Sequence, residues 1–221
     1  MTARLAVFVS GGGSNLQAIQ SYFDRRRSVA TVALTVSNSA TCGAIARARE
    51  SGQPHVVLND PGDADRILGV LGDHHITHIA LAGYLKLLPA AVVHGFRGRV
   101  VNVHPALLPK HGGAGMYGHR VHAAVLAAGE GSSGCTVHFV DTEYDRGAII
   151  AQASVPVLAD DSPQTLAARV LVAEHFLYPR AVHALVAAAV SLDPSGGVKL
   201  TSGAAQYFSD PPAGVSTRLG G

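Results

Sequence analysis

The chain has 221 residues, 48% hydrophobic and 14% charged, with a formal net charge of +2 when histidine is neutral. That length suits one domain with a sizeable core, the apolar content excludes a disordered chain, and the near-neutral charge gives no field to draw nucleic acid or an anionic membrane. The two cysteines, Cys42 and Cys135, lie far apart and form no C-x-x-C, which argues against a disulfide framework or structural zinc and fits a reducing, cytoplasmic setting.

Leu5–Val9 is a continuous apolar run, the pattern of a strand buried on both faces, and is too short for a secretion signal or a membrane span. Leu16, Ile19 and Phe23 follow at helical spacing, and Arg25-Arg26-Arg27 reads as the solvated end of that helix. Thr31–Ser37 is the next strand, Thr41–Glu50 a helix with Gly52 just past its end, and His55–Leu58 a short strand. Ala64, Ile67, Leu68 and Leu71 form a helical stripe, and His78–Leu81 and Val100–Val103 are two more strands. This alternation implies an α/β fold with a mainly parallel, Rossmann-like sheet, right-handed crossovers and helices on both faces. In the C-terminal half, Thr136–Val140 and Ile149–Val157 are joined by too little chain for a helix, which predicts an antiparallel pair. Ser162-Pro163 starts a helix through Leu166, Val170 and Leu177, with Pro179 expected to kink or divide it. Val198–Leu200 reads as a last edge strand and residues 211–221 as a poorly ordered tail, with no internal repeat and no second domain.

Two places carry chemistry. Ser10-Gly11-Gly12-Gly13-Ser14-Asn15 joins the first strand to the first helix. Glycine backbone, a helix N-terminus and the Ser14 hydroxyl can cradle a phosphate; a tight turn capped by Ser14 or Asn15 is the other reading. It is neither a dinucleotide fingerprint, since Leu16 stands at the third glycine position and Ser37-Asn38 offers no acid for a ribose, nor a P-loop, since no Gly-Lys-Ser/Thr follows.

The second place is the end of the strand before Pro105. Asn102 and His104 alternate onto the same side of the sheet, an amide donor beside an imidazole, which suits acyl transfer. Asp145, in the turn between the antiparallel strands, is a carboxylate that could reach the imidazole and raise its pKa. The alternative is that Asn102 and His104 only end a strand and Asp145 only forms a turn. His74, His75 and His78 read as a solvated cluster, and His138 as a satisfied sheet histidine that could line the site.

Taken in order, these segments resemble the glycinamide ribonucleotide formyltransferases of purine (IMP) synthesis. The resemblance is carried by Ser10–Ala18, Leu81–Leu88, Asn102-Val103-His104-Pro105-Ala106-Leu107-Leu108-Pro109, Thr136–Val140, Asp145–Ile150, Glu174-His175 and Tyr178-Pro179, and spans about residues 5 to 200. It implies the formyltransferase fold over residues 1–200, the N-terminal part binding the ribonucleotide phosphate and the C-terminal part the folate, with residues 201–221 as a tail. It also implies formyl transfer from 10-formyltetrahydrofolate, as co-substrate, to the glycinamide amine, without metal or covalent enzyme intermediate. In family terms Asn102 holds the developing oxyanion, His104 is the proton donor, and Asp145 raises the His104 pKa and orders the water that moves protons. Gly13, Ser14 and Asn15 match the phosphate loop and Glu174 the acid that holds ribose hydroxyls. The folate is expected against Leu85, Lys86, Leu87 and Leu88, Asn102, and the loop from Val140 and Asp141 to Asp145.

The chain departs from the pattern in places. Lys86 stands where some relatives carry Arg, no Arg near Asn59–Asp65 matches a folate-side Arg, and Lys110–Gly118 is unusually glycine-rich and expected to be mobile. Methionyl-tRNA formyltransferase and formyltetrahydrofolate deformylase share the central motif but carry a further C-terminal or N-terminal domain, for which no room is expected here. A non-catalytic ribose-phosphate-binding module is the reading from another class, and a NAD-dependent oxidoreductase fails on the fingerprint. The expected partners are small molecules only, with the chain a monomer or homodimer.

Overall fold

Apolar runs rich in valine and alanine make the first five strands, as residues buried on both faces of a parallel sheet must. β1 (Ala3–Val9), β2 (Ala30–Ser37), β3 (His55–Val57), β4 (His78–Leu81) and β5 (Val100–His104) alternate with α1 (Ser14–Asp24), α2 (Gly43–Glu50), α3 (Ala64–Asp73) and α4 (Ala90–Gly95). The structure is a computed structural model that describes residues 2–27 and 29–220. It divides into two compact units, Met1–Asn102 and Val103–Gly221, with the boundary inside β5.

In the first unit the strand order is β5-β4-β1-β2-β3, all parallel. The chain steps outward from β1 to β3 and then returns to β4 on the other side of β1. Right-handed crossovers in opposite directions place α1 and α2 on one face and α3 and α4 on the other. The order therefore reverses between β1 and β4, the place in an open α/β sheet where the loops after the strands splay into a crevice.

The second unit continues with α5 (His119–Ala127), β6 (Ser132–Phe139), β7 (Ile149–Pro156), α6 (Pro163–Val186), β8 (Val190–Leu192), β9 (Val198–Leu200), a short 3-10 helix (Ala204–Phe208) and β10 (Ser216–Leu219). The expected antiparallel pair is β6 and β7. Five parallel strands, their helices and this pair make the mainly parallel α/β domain expected. Ser162 caps α6 as predicted: its hydroxyl accepts from the Thr165 N–H, Thr165 returns the bond in a capping box, and Pro163 occupies the first helical position.

Several expectations are corrected. Pro179 does not divide α6, which runs unbroken for 24 residues. It sits fully among buried neighbours, and the Arg180 guanidinium donates to the Phe176 carbonyl at 3.0 Å, beside the carbonyl that the proline leaves without its usual donor. Val198–Leu200 is not the sheet edge; it pairs with β8 in a separate two-stranded hairpin. The edge strand of the second unit is β10, inside the segment expected to be loose, because its backbone pairs antiparallel with β7 from Ser216 opposite Ser154 to Leu219 opposite Ala151. The helices α4 and α5 have no counterpart in the sequence reading. Each is short, six and nine residues, and shows little polar–apolar alternation to announce it.

Candidate active site

The glycine loop of the first unit lies at the strand-order reversal. Ser10 binds three strand ends together: its N–H donates to the Gly83 carbonyl beyond β4 (3.1 Å), its hydroxyl donates to Asn38 Oδ1 beyond β2 (2.7 Å), and the same hydroxyl accepts from the Leu85 N–H (2.9 Å). Gly13 is the residue that caps α1, in the left-handed region at φ 79°, and a Cβ there would lie 2.7 Å from the Ala44 Cβ. Ser14 and Asn15 are therefore the first helical residues and not the cap. Among the described residues no side chain caps the helix, so the positive end of its dipole lies at the loop without a side-chain partner, which is the makeup of an anion site. Arg47 of α2, unremarked in the sequence, donates from its guanidinium to the Gly12 carbonyl and brings a positive charge to the loop. After β4, Leu88 is buried while Leu85 and Leu87 are 45% and 40% exposed, with Lys86 exposed between them.

In the second unit His104 closes β5, 3% exposed, two residues after the half-buried Asn102 and so on the same face of the strand. The structure brings His104 and Asp145 together: Nδ1 lies 3.4 Å from Asp145 Oδ2, and Nε2 lies 2.8 Å from the His111 carbonyl. The other carboxylate oxygen, Oδ1, lies 3.5 Å from His138 Nε2, and His138 Nδ1 lies 2.7 Å from the Phe139 carbonyl. One carboxylate thus stands between two buried imidazoles, each with its remaining nitrogen on a backbone carbonyl. His138, weighed from sequence as a satisfied sheet histidine that could line the site, belongs to this cluster; nothing in its Val-rich strand indicated the carboxylate it faces.

The local backbone explains how Asp145 gets there. It adopts φ 58°, a left-handed conformation that aspartate tolerates better than most residues. Its Oδ2 accepts the Gly113 N–H at 2.9 Å, which fastens part of the glycine-rich loop expected to be mobile. The loop can approach because Gly112 has no side chain; a Cβ there would meet Leu108 Cδ2 at 2.4 Å and Asp145 Cβ at 3.3 Å. Below His104, the Thr136 hydroxyl donates to the Ala106 carbonyl (2.7 Å) and accepts from the Leu108 N–H (3.0 Å) and from Gln152 Nε2 (2.9 Å), while Gln152 Nε2 also donates to the Leu108 carbonyl (2.9 Å). These buried bonds pin the segment that follows His104 onto β6 and β7.

Burial pushes the His104 pKa below its ordinary value, against the Asp145 charge and the His111 carbonyl, which raise it. Asp145 acts in the sense expected from the sequence and raises the value, but desolvation of a ring 3% exposed is larger. Burial acts on Asp145 in the opposite direction, yet the His138 hydrogen bond, the His104 charge and the Gly113 N–H hold its carboxyl below the usual range. A neutral His104 can donate from one nitrogen only. When the ring takes a second proton, both N–H groups already face oxygen acceptors, so the site is shaped to hold an imidazolium briefly.

The other expected residues are placed as follows. Glu174 lies in the middle of α6, 8% exposed, and its charge adds to the burial that raises the Cys135 thiol pKa. Val140 and Asp141 are half-buried just past β6, where Asp141 Oδ1 accepts the Glu143 N–H at 2.9 Å and starts the turn towards Asp145. Gly13–Asn15 and Leu85–Leu88 belong to the first unit; Glu174, Val140 and Asp141 belong to the second. Among the described residues, no group of three or more His, Cys, Asp or Glu is arranged to hold a metal ion, and no helix is long and apolar enough to cross a membrane.

Residues 3–182 match the family model described as formyl transferase. The chloroplastic phosphoribosylglycinamide formyltransferase of Arabidopsis thaliana is 45% identical over 189 residues, which cover 82% of this chain and 65% of that protein. The chain thus spans just under two thirds of the length of this curated relative. Among solved structures, the phosphoribosylglycinamide formyltransferase of Anaplasma phagocytophilum superposes with a TM-score of 0.82 at 34% identity, over 91% of this chain and 96% of the other. That of Brucella melitensis gives 0.76 at 38% identity, over 85% and 97%. The chain belongs to the formyl transferase family, among its phosphoribosylglycinamide formyltransferases.

Proposed function

We propose that the chain transfers a formyl group from 10-formyltetrahydrofolate to the amine of glycinamide ribonucleotide, giving the formylated ribonucleotide and tetrahydrofolate in purine synthesis. The observation that carries this reading is the buried His104–Asp145 pair at the end of β5, two residues after Asn102, in a member of this family. The amine attacks the formyl carbon, and the carbonyl oxygen becomes an oxyanion that the Asn102 amide stabilises by hydrogen bonding. His104, neutral at the outset with its Nδ1–H towards Asp145, exchanges its Nε2 contact with the His111 carbonyl for the substrate and takes up on Nε2 the proton the amine releases. Its Nδ1–H is then held by Asp145, and the imidazolium donates a proton to the folate nitrogen as the old C–N bond breaks. No metal and no covalent enzyme intermediate is assigned.

In the same reading Gly13, Ser14 and Asn15 hold the substrate phosphate and Glu174 the ribose hydroxyls. The uncapped start of α1 with Arg47 nearby supports the first assignment. The folate lies against Leu85, Lys86, Leu87 and Leu88, Asn102, Val140 and Asp141; the exposed apolar faces of Leu85 and Leu87 suit a flat ring. Within residues 1–200 the phosphate falls to the N-terminal part, and the folate to the C-terminal part together with the Leu85–Leu88 segment and Asn102. A cytoplasmic setting goes with the reading, Cys42 and Cys135 both being free and buried.

Tetrahydrofolate release, followed by absorbance with and without glycinamide ribonucleotide, tests the proposal. Release only with the ribonucleotide supports it; release without the ribonucleotide makes the chain a hydrolase instead, and none in either case removes the reading.

A further inference from the structure

The glycine loop of the first unit is held by its three carbonyls. That of Gly11 accepts the Ala44 N–H at the start of α2 (3.3 Å), that of Gly12 accepts the Arg47 guanidinium, and that of Gly13 accepts the Gln17 N–H inside α1 (3.0 Å). None of the peptide bonds in this loop is cis. In a planar trans peptide the N–H points opposite to the carbonyl of the residue before it. Holding the carbonyls of Gly11, Gly12 and Gly13 on the two helices therefore turns the N–H groups of Gly12, Gly13 and Ser14 away from those contacts. Among the described residues none of these three N–H groups donates a hydrogen bond. Successive N–H groups turned to one side around a left-handed residue, here Gly13 at φ 79°, form a concavity for an anion.

Two of the three restraints are backbone to backbone; the middle one comes from a side chain. Arg47 is exposed on α2, and its Nε donates back to the Gly43 carbonyl (3.4 Å), which lays the guanidinium along α2 beside the loop. The start of α2 and the loop are in close contact there: a Cβ on Gly43 would lie 3.5 Å from Gly12 Cα, and one on Gly13 2.7 Å from Ala44 Cβ. No carboxylate among the described residues pairs with Arg47. Its charge is left to polarise the Gly12–Gly13 peptide, and a cation on the carbonyl oxygen makes the N–H at the other end of that peptide a stronger donor.

We infer that Arg47 is a positioning residue for the substrate phosphate: it holds the Gly12 carbonyl from behind and so sets the Gly13 N–H towards the anion, without touching the phosphate itself. The inference rests on the assignment of Gly13, Ser14 and Asn15 to that phosphate, and not on the chemistry at His104.

Two variants test it. Arg47→Met keeps a helix former of similar length and removes the donors; Arg49→Met removes an exposed α2 charge whose side chain makes no bond to the loop. In calorimetric titration at matched ionic strength, the parent chain should bind ribose 5-phosphate saturably, Arg47→Met about tenfold more weakly, and Arg49→Met as the parent does. In the unliganded chain the Gly13 amide resonance should move in Arg47→Met and stay in Arg49→Met, because its nitrogen is bonded to the carbonyl that Arg47 holds. In turnover, Arg47→Met should raise KM for glycinamide ribonucleotide about tenfold, with KM for 10-formyltetrahydrofolate and kcat within about twofold of the parent. Absence of formyl transfer with this ribose 5-phosphate pattern intact would strike the proposed reaction and leave the inference standing. No saturable binding by the parent, undiminished binding or an unmoved Gly13 resonance in Arg47→Met, an equal loss in Arg49→Met, or equal rises in both KM values would each overturn it.

Discussion

His104 shows how two opposing effects set one residue's chemistry. Burial favours the neutral ring, and Asp145 offsets part of that effect without reversing it. In the proposed reaction the ring must begin neutral, so activity is lost as pH falls through a pKa below 6.5. Asp145→Asn removes a group that raises this pKa, and the acid limb of the kcat/KM profile should move to lower pH while the rate falls. A profile that keeps its position would contradict the role given to Asp145. His104→Ala should lose on the order of 10² to 10⁴ in turnover with substrate binding largely kept; near-normal turnover would remove it from the mechanism.

At the scale of elements, the site depends on a few close contacts between segments far apart in sequence. The Thr136 hydroxyl uses its one hydrogen and both lone pairs on Ala106, Leu108 and Gln152. Thr136→Val keeps the shape but leaves the Leu108 N–H and the Ala106 carbonyl without that partner. It should cost about 1–3 kcal/mol, read as a lower urea midpoint at unchanged slope. Gly13→Ala meets Ala44 and forces a left-handed alanine at the start of α1. It should weaken ribonucleotide binding and raise KM more than it lowers kcat, because it touches the phosphate loop and not the His104 cluster. An equal loss in kcat at unchanged KM would place the loop's role elsewhere.

For the molecule as a whole, buried histidines link stability to pH. His122 of α5 is 4% exposed, and burial, followed by the charges of His119 and His104, lowers its pKa to about 4. His78, lowered to about 4 by burial and Arg99, acts in the same direction. Between 6.5 and about 4 the unfolded chain binds a proton at His122 that the folded chain refuses, so stability falls as pH drops through that window, by of order 3 kcal/mol for His122. His122→Gln should flatten the difference between urea midpoints measured at neutral pH and at about pH 5. An unaltered difference would show that His122 titrates normally in the fold.

The sequence alone determined what depends on local pattern. The first strand appeared as an unbroken apolar run, the other parallel strands as short Val-rich segments between helical stripes, the start of α6 as Ser162-Pro163, and the antiparallel pair as two strands too close for a crossover. The ordered set of segments from Ser10–Ala18 through Asn102–Pro109 and Asp145–Ile150 to Tyr178-Pro179 carried the family resemblance. The tertiary structure alone decided what depends on contacts between distant segments. It put His138 on the second oxygen of Asp145, made burial outweigh that carboxylate at His104, brought Arg47 to the glycine loop, and turned residues 216–219 into a strand. None of these leaves a periodic trace, because each arises from which backbone or charge ends up beside a residue and from how much water is excluded there.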